Sequence, residues 1–170
     1  MTDTRDTIAA EIVSTPGVHF NELVRSLPFA PGQVQYHVRT LVDDERVVRD
    51  ELFGRTHYYP PEYDAFERAT IALLRRETTR DVLATLIEGG PQRPATVADS
   101  VGIARSTLEH HVANLVDAGL VEKERDSHNR VTLVLADPER TATLLADVTP
   151  TLPERIVDRF TRLVDDLLAQ

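Results

Sequence analysis

The sequence predicts an α+β protein, mostly α-helical, that is built from two copies of one small domain. Three observations support this expectation: an internal repeat at an offset of 74 residues, apolar residues at helical spacing in both copies, and an alternating, strand-like segment that ends each copy. A chain of 170 residues has room for two small domains.

The repeat is clearest between residues 20–47 and residues 94–121, which align without a gap. Eight of these 28 aligned pairs are identical, and most other apolar positions match in kind, as Leu23 does with Val97. Agreement of the apolar pattern across several elements is hard to obtain by accident, so we interpret the chain as a duplication.

The first copy starts with a predicted helix over residues 4–14, which proline and glycine end at 15–17. A short extended piece over 18–20 follows, and Asn21 is expected to cap a short helix. The next helix has apolar residues at positions i, i+4, i+7 and i+8, namely Val34, Val38, Leu41 and Val42. Residues 47–59 then predict a hairpin that turns near glycine 54.

The second copy repeats this order. A long helix ends at residues 89–91, and Thr96 is expected to cap a short helix over 97–101. A helix over 106–118 follows and stops at Gly119, a natural residue for the position after a helix end.

A second hairpin completes this copy, with strands over 120–124 and 131–135 and a polar tip at 126–129. Two helices joined by a tight turn and followed by a β-hairpin make a winged helix-turn-helix, and the sequence therefore predicts two of these domains in tandem.

The predicted organisation has four segments. They are a first winged helix-turn-helix domain at 1–61, a linker helix at 62–80 that runs into the next domain, a second winged helix-turn-helix domain at 81–137, and a C-terminal helical segment at 138–170. The helical pattern of the linker extends from about Glu62 to Glu88 and would join the two domains by one long helix.

The stretch from Ser106 to Arg125 resembles the recognition helix and first wing strand of ArsR/MarR-type winged helix regulators of archaea and bacteria. Their pattern begins with Ser or Thr, places His before an aliphatic residue, and ends in Leu-x-x-x-Gly-Leu-Val. The first copy resembles this pattern more weakly, and it has Glu45 where the second copy has Gly119. Glu109 also departs from the pattern, which usually has a small or neutral residue there.

The resemblance implies a DNA-binding regulator, and the tandem form with an acidic composition resembles two-domain regulators of haloarchaea. In such domains the second helix enters the major groove with its N-terminal residues at base edges. The metal-sensing branch of the family does not carry over, because its sensors mostly use cysteine and this chain has none.

The candidate DNA contacts are the residues expected on the outer faces of the two recognition helices and on the two wings. In the second copy they are Arg105, Ser106, Thr107, Glu109, His110 and Asn114 on the helix and Lys123, Arg125, His128, Asn129 and Arg130 on the wing. In the first copy they are Gln33, Gln35, Tyr36 and Arg39 on the helix and Arg49, Arg55 and His57 on the wing.

Each candidate has a chemical reason and a plainer alternative. Arg105 could pair with guanine, Asn114 with adenine, and Glu109 could accept from cytosine. Wing cations suit phosphates, but they would also suit a solvated hairpin tip. Ser106 and Thr107 could contact phosphates or only cap the helix. The inner face of this helix is predicted to be core, formed by Leu108, Val112, Leu115 and Val116.

His37 and His111 occupy equivalent positions in the two copies. A metal or pH-sensing role is one interpretation, but a packed histidine bonded to the neighbouring backbone is favoured. No nucleophile, paired-carboxylate or glycine-loop motif is present, so we expect no enzyme activity, no cofactor and no metal.

The charge balance bears on the partner and the source. Acidic residues exceed basic ones by 28 to 19, the net charge is −9, and Lys123 is the only lysine. This balance resembles proteins of salt-loving organisms, although high genomic GC content would also favour arginine over lysine. Residues 67–136 are nearly neutral, with 10 acidic and 9 basic side chains, so the acidic excess lies elsewhere.

The absence of cysteine and of a long apolar run predicts a cytoplasmic protein without a membrane span. After Pro153 an apolar stripe at helical spacing predicts a last helix; its members are Ile156, Phe160, Leu163, Val164, Leu167 and Leu168. This stripe predicts either packing on the linker helix or a homodimer, which we favour.

Two functions from different classes fit these patterns. The first is a sequence-specific transcriptional regulator whose partner is double-stranded DNA. The second is a protein-interaction adaptor, because tandem winged helices also serve as scaffolds in chromosome condensation and membrane remodelling. The first copy, with its few cations, is the better candidate for such a role.

Overall fold

The computed structural model describes residues 3–148, which divide into two compact units between residues 72 and 73. The elements follow in the order α1 Thr4–Ser14, α2 Phe20–Ser26, α3 Pro31–Asp43, β1 Val48–Leu52, β2 Arg55–Tyr59, α4 Ala65–Leu74, α5 Glu77–Gly89, α6 Pro94–Val101, α7 Arg105–Asp117, β3 Val121–Arg125, β4 Val131–Leu135 and α8 Pro138–Val148. This mostly helical fold with two small antiparallel sheets confirms the predicted fold class.

The duplication is visible in the elements. Helices α3 and α7 begin and end 74 residues apart, at the offset of the sequence repeat. Each is preceded by an alanine in extended conformation, Ala30 and Ala104, and neither alanine offers a side-chain cap. The two helices are therefore the same element in two copies.

The core of the first unit lies between its three first helices and the hairpin. Ile8 and Ile12 of α1 and Leu23 of α2 are fully buried, as are Val34 and Leu41 on the inner face of α3. These apolar positions recur at helical spacing, so one face of each helix is removed from water and the other is left exposed. Burial of each such side chain contributes about 1.5–3 kcal/mol.

The second unit has the same arrangement of buried positions. Val82 of α5 and Val97 of α6 are fully buried, and so are Leu108, Val112 and Leu115 of α7. These confirm the predicted inner face of the helix. Val116 does not follow the prediction: it is 41% exposed, because it lies at the flank of the stripe rather than on it.

Each hairpin is extended by a bridge to an earlier part of the same unit. In the first unit β1 pairs with β2, and Val18 pairs with Tyr58 on the other edge of β2. In the second unit β3 pairs with β4, and Gln92 pairs with Leu133 in the same way. The predicted extended piece before α2 is thus part of the wing sheet.

The turn of the first hairpin is a two-residue loop, Phe53-Gly54, in which both residues have positive φ angles of 51° and 78°. This backbone matches the twist of the flanking strands, and glycine accepts it readily. The predicted turn near this glycine is confirmed.

A left-handed residue ends both recognition helices. Gly119 has a φ of 75° after α7, and Glu45 has a φ of 57° at the equivalent position after α3. The turn therefore needs this conformation in both copies, although only one copy has the residue that adopts it without steric cost.

Two predicted caps are wrong, and so is the alternative that Ser106 only caps its helix. Asn21 lies inside α2 because that helix already begins at Phe20, and Thr96 lies inside α6, which begins at Pro94. Ser106 is the second residue of α7. In each case the helix starts two or three residues earlier than a side-chain cap would place it. In α6 a proline at the first position is the local signal, since its fixed φ suits a helix start.

The prediction of one continuous helix from residue 62 to residue 88 is also wrong. This segment forms two helices, α4 and α5, and Arg75 and Arg76 lie between them. The buried Arg80 donates a hydrogen bond from Nη1 to the carbonyl oxygen of Leu74, at 3.1 Å, so a side chain rather than the next helical turn satisfies the end of α4. The apolar pattern continues across the break and hides it in the sequence.

The start of α4 has a reciprocal capping box. The backbone N–H of Glu67 donates to Asp64 Oδ1 at 2.8 Å, and the N–H of Asp64 donates to Glu67 Oε2 at 2.9 Å. Helix α8 forms the described part of the C-terminal segment. The predicted helix after Pro153 lies outside the described residues.

The paired left-handed residues generate a stability prediction. We expect Glu45→Gly to raise the free energy of unfolding by about 0.5–1 kcal/mol, because relief of the left-handed strain exceeds the entropy that glycine gains in the unfolded chain. Gly119→Glu is the mirror control and should lower it by about 1 kcal/mol. No neighbour lies within 4 Å of a Cβ added at Gly119, so the backbone alone would cause the loss.

Both variants are compared with the unsubstituted protein by denaturant unfolding. A loss of stability in Glu45→Gly of the same size as in Gly119→Glu would contradict the explanation.

Candidate nucleic-acid interface

Helix α7 presents one buried and one exposed face. Its exposed face starts at the first residue of the helix and consists of the side chains of Arg105, Ser106, Thr107, Glu109 and His110. Asn114 is half-buried. Because the inner face is fixed in the core, these side chains occupy the arc of the helix that stays in solvent, which is the part that could enter a groove.

Arg105 is the first residue of this helix. Within residues 3–148 it forms no hydrogen bond and no ion pair. Its guanidinium is therefore available to a bidentate acceptor such as guanine or a phosphate.

The tip of the second wing is organised by one carboxylate. Asp126 Oδ1 accepts the backbone N–H groups of His128 and Arg130 at 2.8 and 3.0 Å, and its Oδ2 accepts Nε of Arg130 at 2.7 Å. Asn129 adopts a left-handed φ of 59° inside this turn. The predicted polar tip is thus a structured turn rather than a loose run of charges.

These bonds lower the pKa of Asp126 below its ordinary value of 3.8. The backbone N–H of Arg130 is the largest cause, followed by the Arg130 side chain and the N–H of His128, while partial desolvation opposes them. The carboxylate is ionised at any physiological pH and keeps the tip closed.

The cations of the second wing have internal partners. Lys123 Nζ lies 2.9 Å from Glu109 Oε2, which joins β3 to α7. Arg125 donates to Asn129 Oδ1 at 3.1 Å, and Arg130 pairs with Asp126. All these side chains are at the surface, so each pair is weak and can be exchanged for a phosphate.

His111 links the recognition helix to the helix before it. Its Nδ1 lies 3.3 Å from the hydroxyl of Thr79 on α5, which corrects the expectation of a bond to the neighbouring backbone. Burial lowers the pKa of His111 below 6.5, and the nearby His110 and Arg76 lower it further. In the first unit, Nδ1 of His37 is buried and has no hydrogen-bond partner among the described residues.

The exposed face of α3 has one arginine, as that of α7 does, and no acidic residue before Asp43. Gln33, Gln35, Tyr36 and Arg39 are all exposed, and Tyr36 is 65% exposed. Gln33 is already engaged, since its Oε1 accepts the backbone N–H of Ala30 at 3.2 Å.

A groove of about 370 Å³ runs between α3 and β1 of the first unit. Its apolar residues are Phe20, Val38, Val42 and Tyr58, and its polar residues are Gln35, Arg39 and Arg49. Three of the predicted contact residues of this unit are thus brought together on one groove.

The first wing contributes two surface arginines. Arg49 pairs with Glu51 at 3.1 Å, and Arg55 is exposed at the start of β2. His57 does not belong with them: it is 1% exposed, and its Nδ1 lies 2.8 Å from the carbonyl oxygen of Gly17. The end of β2 is buried on both faces, since Tyr58 and Tyr59 are buried as well, and we remove His57 from the interface.

Sequence reasoning missed the organising role of Asp126 and the partner role of Thr79. The first had a local signal, because an aspartate at a turn commonly accepts the N–H two residues on. The second had none, since residues 79 and 111 meet only through packing.

Two absences hold for the described part of the chain. Residues 3–148 contain no group of three or more histidine or acidic side chains that could hold a metal ion. In the same range no helix has the length and apolar character that crossing a membrane requires.

Two family models match the chain in succession. Residues 2–71 match a model described as an N-terminal HTH domain, and residues 73–124 match one described as a helix-turn-helix domain. The matches meet where the two compact units meet. The fold and the matches together define the chain as two helix-turn-helix domains in tandem. Neither model describes an enzyme, in agreement with the expectation from the sequence.

The chain is similar to an uncharacterized HTH-type transcriptional regulator of Methanocaldococcus jannaschii, with 26% identity over 132 residues. The match covers 77% of this chain and 33% of the relative, so the chain spans about one third of that protein. Among solved structures it is similar to RV1404 of Mycobacterium tuberculosis, at 19% identity and a TM-score of 0.38, over 62% of this chain and 82% of that one.

The wing tip generates a titration prediction. The carboxyl of Asp126 should titrate below 3.8, so the tip stays closed above that pH and opens as the pH falls through the lowered pKa. Arg130→Gln should raise this pKa toward the ordinary value by removing the guanidinium. Carboxyl-detected NMR measures both, and equal pKa values in the two proteins would contradict the role of Arg130.

His111 generates a second pH prediction. Because folding lowers its pKa, protonation favours the unfolded state, and stability should decline as the pH falls below 6.5 until the lowered pKa is passed. His111→Gln should flatten this decline. Unfolding curves between pH 7.5 and about 5 test it, and an unchanged slope in the variant would refute the assignment.

Proposed function

We propose that this chain is a sequence-specific DNA-binding transcriptional regulator of the ArsR/MarR-like winged helix type, with two such domains in tandem. The observation that carries the proposal is the exposed face of α7, which begins with an unpaired arginine and is followed by a wing whose structured turn presents Arg125 and Arg130. The relative from Methanocaldococcus jannaschii, named as a transcriptional regulator, supports it.

In this proposal α7 lies in the major groove with its N-terminus toward the bases. Arg105 pairs with a guanine, and Asn114 and Glu109 contact an adenine and a cytosine. Ser106 and Thr107 donate to phosphates; this role does not compete with capping, because neither residue is the cap. His110 lies on the same exposed face.

The second wing holds phosphates or enters the minor groove. Arg125, His128, Asn129 and Arg130 lie at or next to the turn that Asp126 organises, so little entropy is lost when they bind. Lys123 lies at the junction of wing and helix.

The first unit has a contact surface of its own. Gln35, Arg39 and Arg49 line one groove, which a phosphate-sugar backbone would fill, and Arg55 extends the surface along the wing. Tyr36 is placed to contact a thymine methyl group.

The acidic composition fits a regulator that works at high salt, as in haloarchaea. At about 1 M salt the Debye length is about 3 Å, so long-range attraction to phosphates contributes little. Binding would then depend on short-range contacts and shape, and a net charge of −9 would weaken it less than at low salt.

We further propose a cytoplasmic homodimer that binds two half-sites. A two-fold dimer would match a palindromic operator, and the apolar stripe predicted for residues 156–168 would supply the contact. No effector or cofactor is part of the proposal.

A protein-interaction role for the first unit is the second candidate. Tyr36 is 65% exposed on a recognition helix with one cation, and exposed aromatic residues are typical of protein interfaces. The experiment below separates the two.

Genomic fragments are enriched on the full chain in a salt series, and the enriched fragment is then used in gel-shift assays. Arg105→Ala should weaken binding to it by about 1–3 kcal/mol, since one bidentate base contact is lost. Arg46→Ala is the matched control, because this arginine lies outside the proposed interface and pairs with Asp6.

Failure to enrich any fragment at any salt would favour the adaptor. Enrichment with unchanged affinity of Arg105→Ala would leave a DNA-binding protein whose base contacts lie elsewhere.

A further inference from the structure

The ion pair between Glu109 and Lys123 connects the proposed reading helix to the wing. Nζ of Lys123 lies 2.9 Å from Oε2 of Glu109, and the two side chains are 34% and 48% exposed. Among the described residues it is the only ion pair that joins α7 to β3. Glu109 lies on the exposed face of α7 that the proposed function assigns to base contact, and Lys123 is exposed beside it.

The position of this carboxylate is unfavourable for binding a polyanion. Glu109 is the only acidic residue on α7 before Asp117 at its end, and it lies one turn from Arg105. It repels phosphates directly, and it also occupies the only lysine of the chain.

We propose that Glu109 is a specificity-determining residue that suppresses binding to non-matching DNA by occupying Lys123 in the free protein. The inference rests on the proposed function and adds a role for one residue of that interface. A phosphate that binds the lysine has to compete with this carboxylate for the ammonium group.

The displaced carboxylate then needs a new partner. A base pair with an amino donor at this position, such as N4 of cytosine, would supply one, and a pair without it would leave the carboxylate facing the groove unpaired. Release of Lys123 is therefore coupled to the base that Glu109 meets. A repulsive element of this kind lowers affinity for all sequences but lowers it most for the wrong ones.

The other pairs of the wing do not have this property. Arg130 pairs with Asp126 inside the turn, and Arg125 bonds the neutral Asn129. Neither pair connects the wing to the exposed face of α7. Exchanging either pair for a phosphate therefore does not depend on which base is present.

The test uses Glu109→Gln in the full chain, with binding to a random-sequence duplex measured by fluorescence anisotropy over a salt series in which circular dichroism shows the fold intact. Release of one lysine to a phosphate should raise affinity on the order of 5–10-fold near 0.1 M salt. It should also steepen the log-log salt dependence by about 0.9, with a gain that shrinks toward high salt. Affinity for the enriched fragment should rise less or fall. The ratio of the affinity for that fragment to the affinity for the random-sequence duplex therefore decreases.

Two further variants separate the causes. Glu122→Gln makes the same charge change on β3 at an exposed residue that has no ion pair within the described chain, and it should leave the salt slope unchanged. In a Lys123→Met background, Glu109→Gln should raise the affinity much less, because only the relief of direct repulsion remains and the lysine that it frees is absent.

The outcomes are distinguishable. If the unsubstituted protein binds DNA but Glu109→Gln gains nothing over Glu122→Gln, or gains equally without Lys123, the role of Glu109 is refuted and the proposed function stands. If neither the unsubstituted protein nor Glu109→Gln binds any duplex, both proposals fall.

Discussion

Burial of the inner faces of α3 and α7 is the constraint on which the rest of each unit depends. Val34 and Leu41 in one copy, and Leu108 and Leu115 in the other, are removed from water against the preceding helices of their own unit. Because a helix has 3.6 residues per turn, fixing these positions also fixes where every other side chain of the helix points. The exposed face is therefore a consequence of the core.

A second consequence concerns the hairpins. The left-handed residue after each helix turns the chain into its wing, and the chain accepts glutamate there in one copy and glycine in the other. The fold imposes this conformation strongly enough to keep it in both sequences, since the strain of a single non-glycine residue is small against the buried apolar surface of the unit.

The distribution of charge gives an acidic protein a surface on which cations are held in place. In the second wing the acidic residues contact the cations directly and hold them in one conformation. Asp126 does this for Arg130. Such pairs contribute little to stability at the surface, so replacing the carboxylate by a phosphate costs little free energy.

The sequence by itself determined the duplication, the order of elements and the two-sided character of the recognition helices, because these depend on spacing along the chain. Only the tertiary structure decided the break after Leu74, the burial of His57 and the pairing of Glu109 with Lys123. Each of these depends on residues that are distant in sequence, or on a side chain that replaces a backbone partner. Neither kind of contact can be predicted from local periodicity.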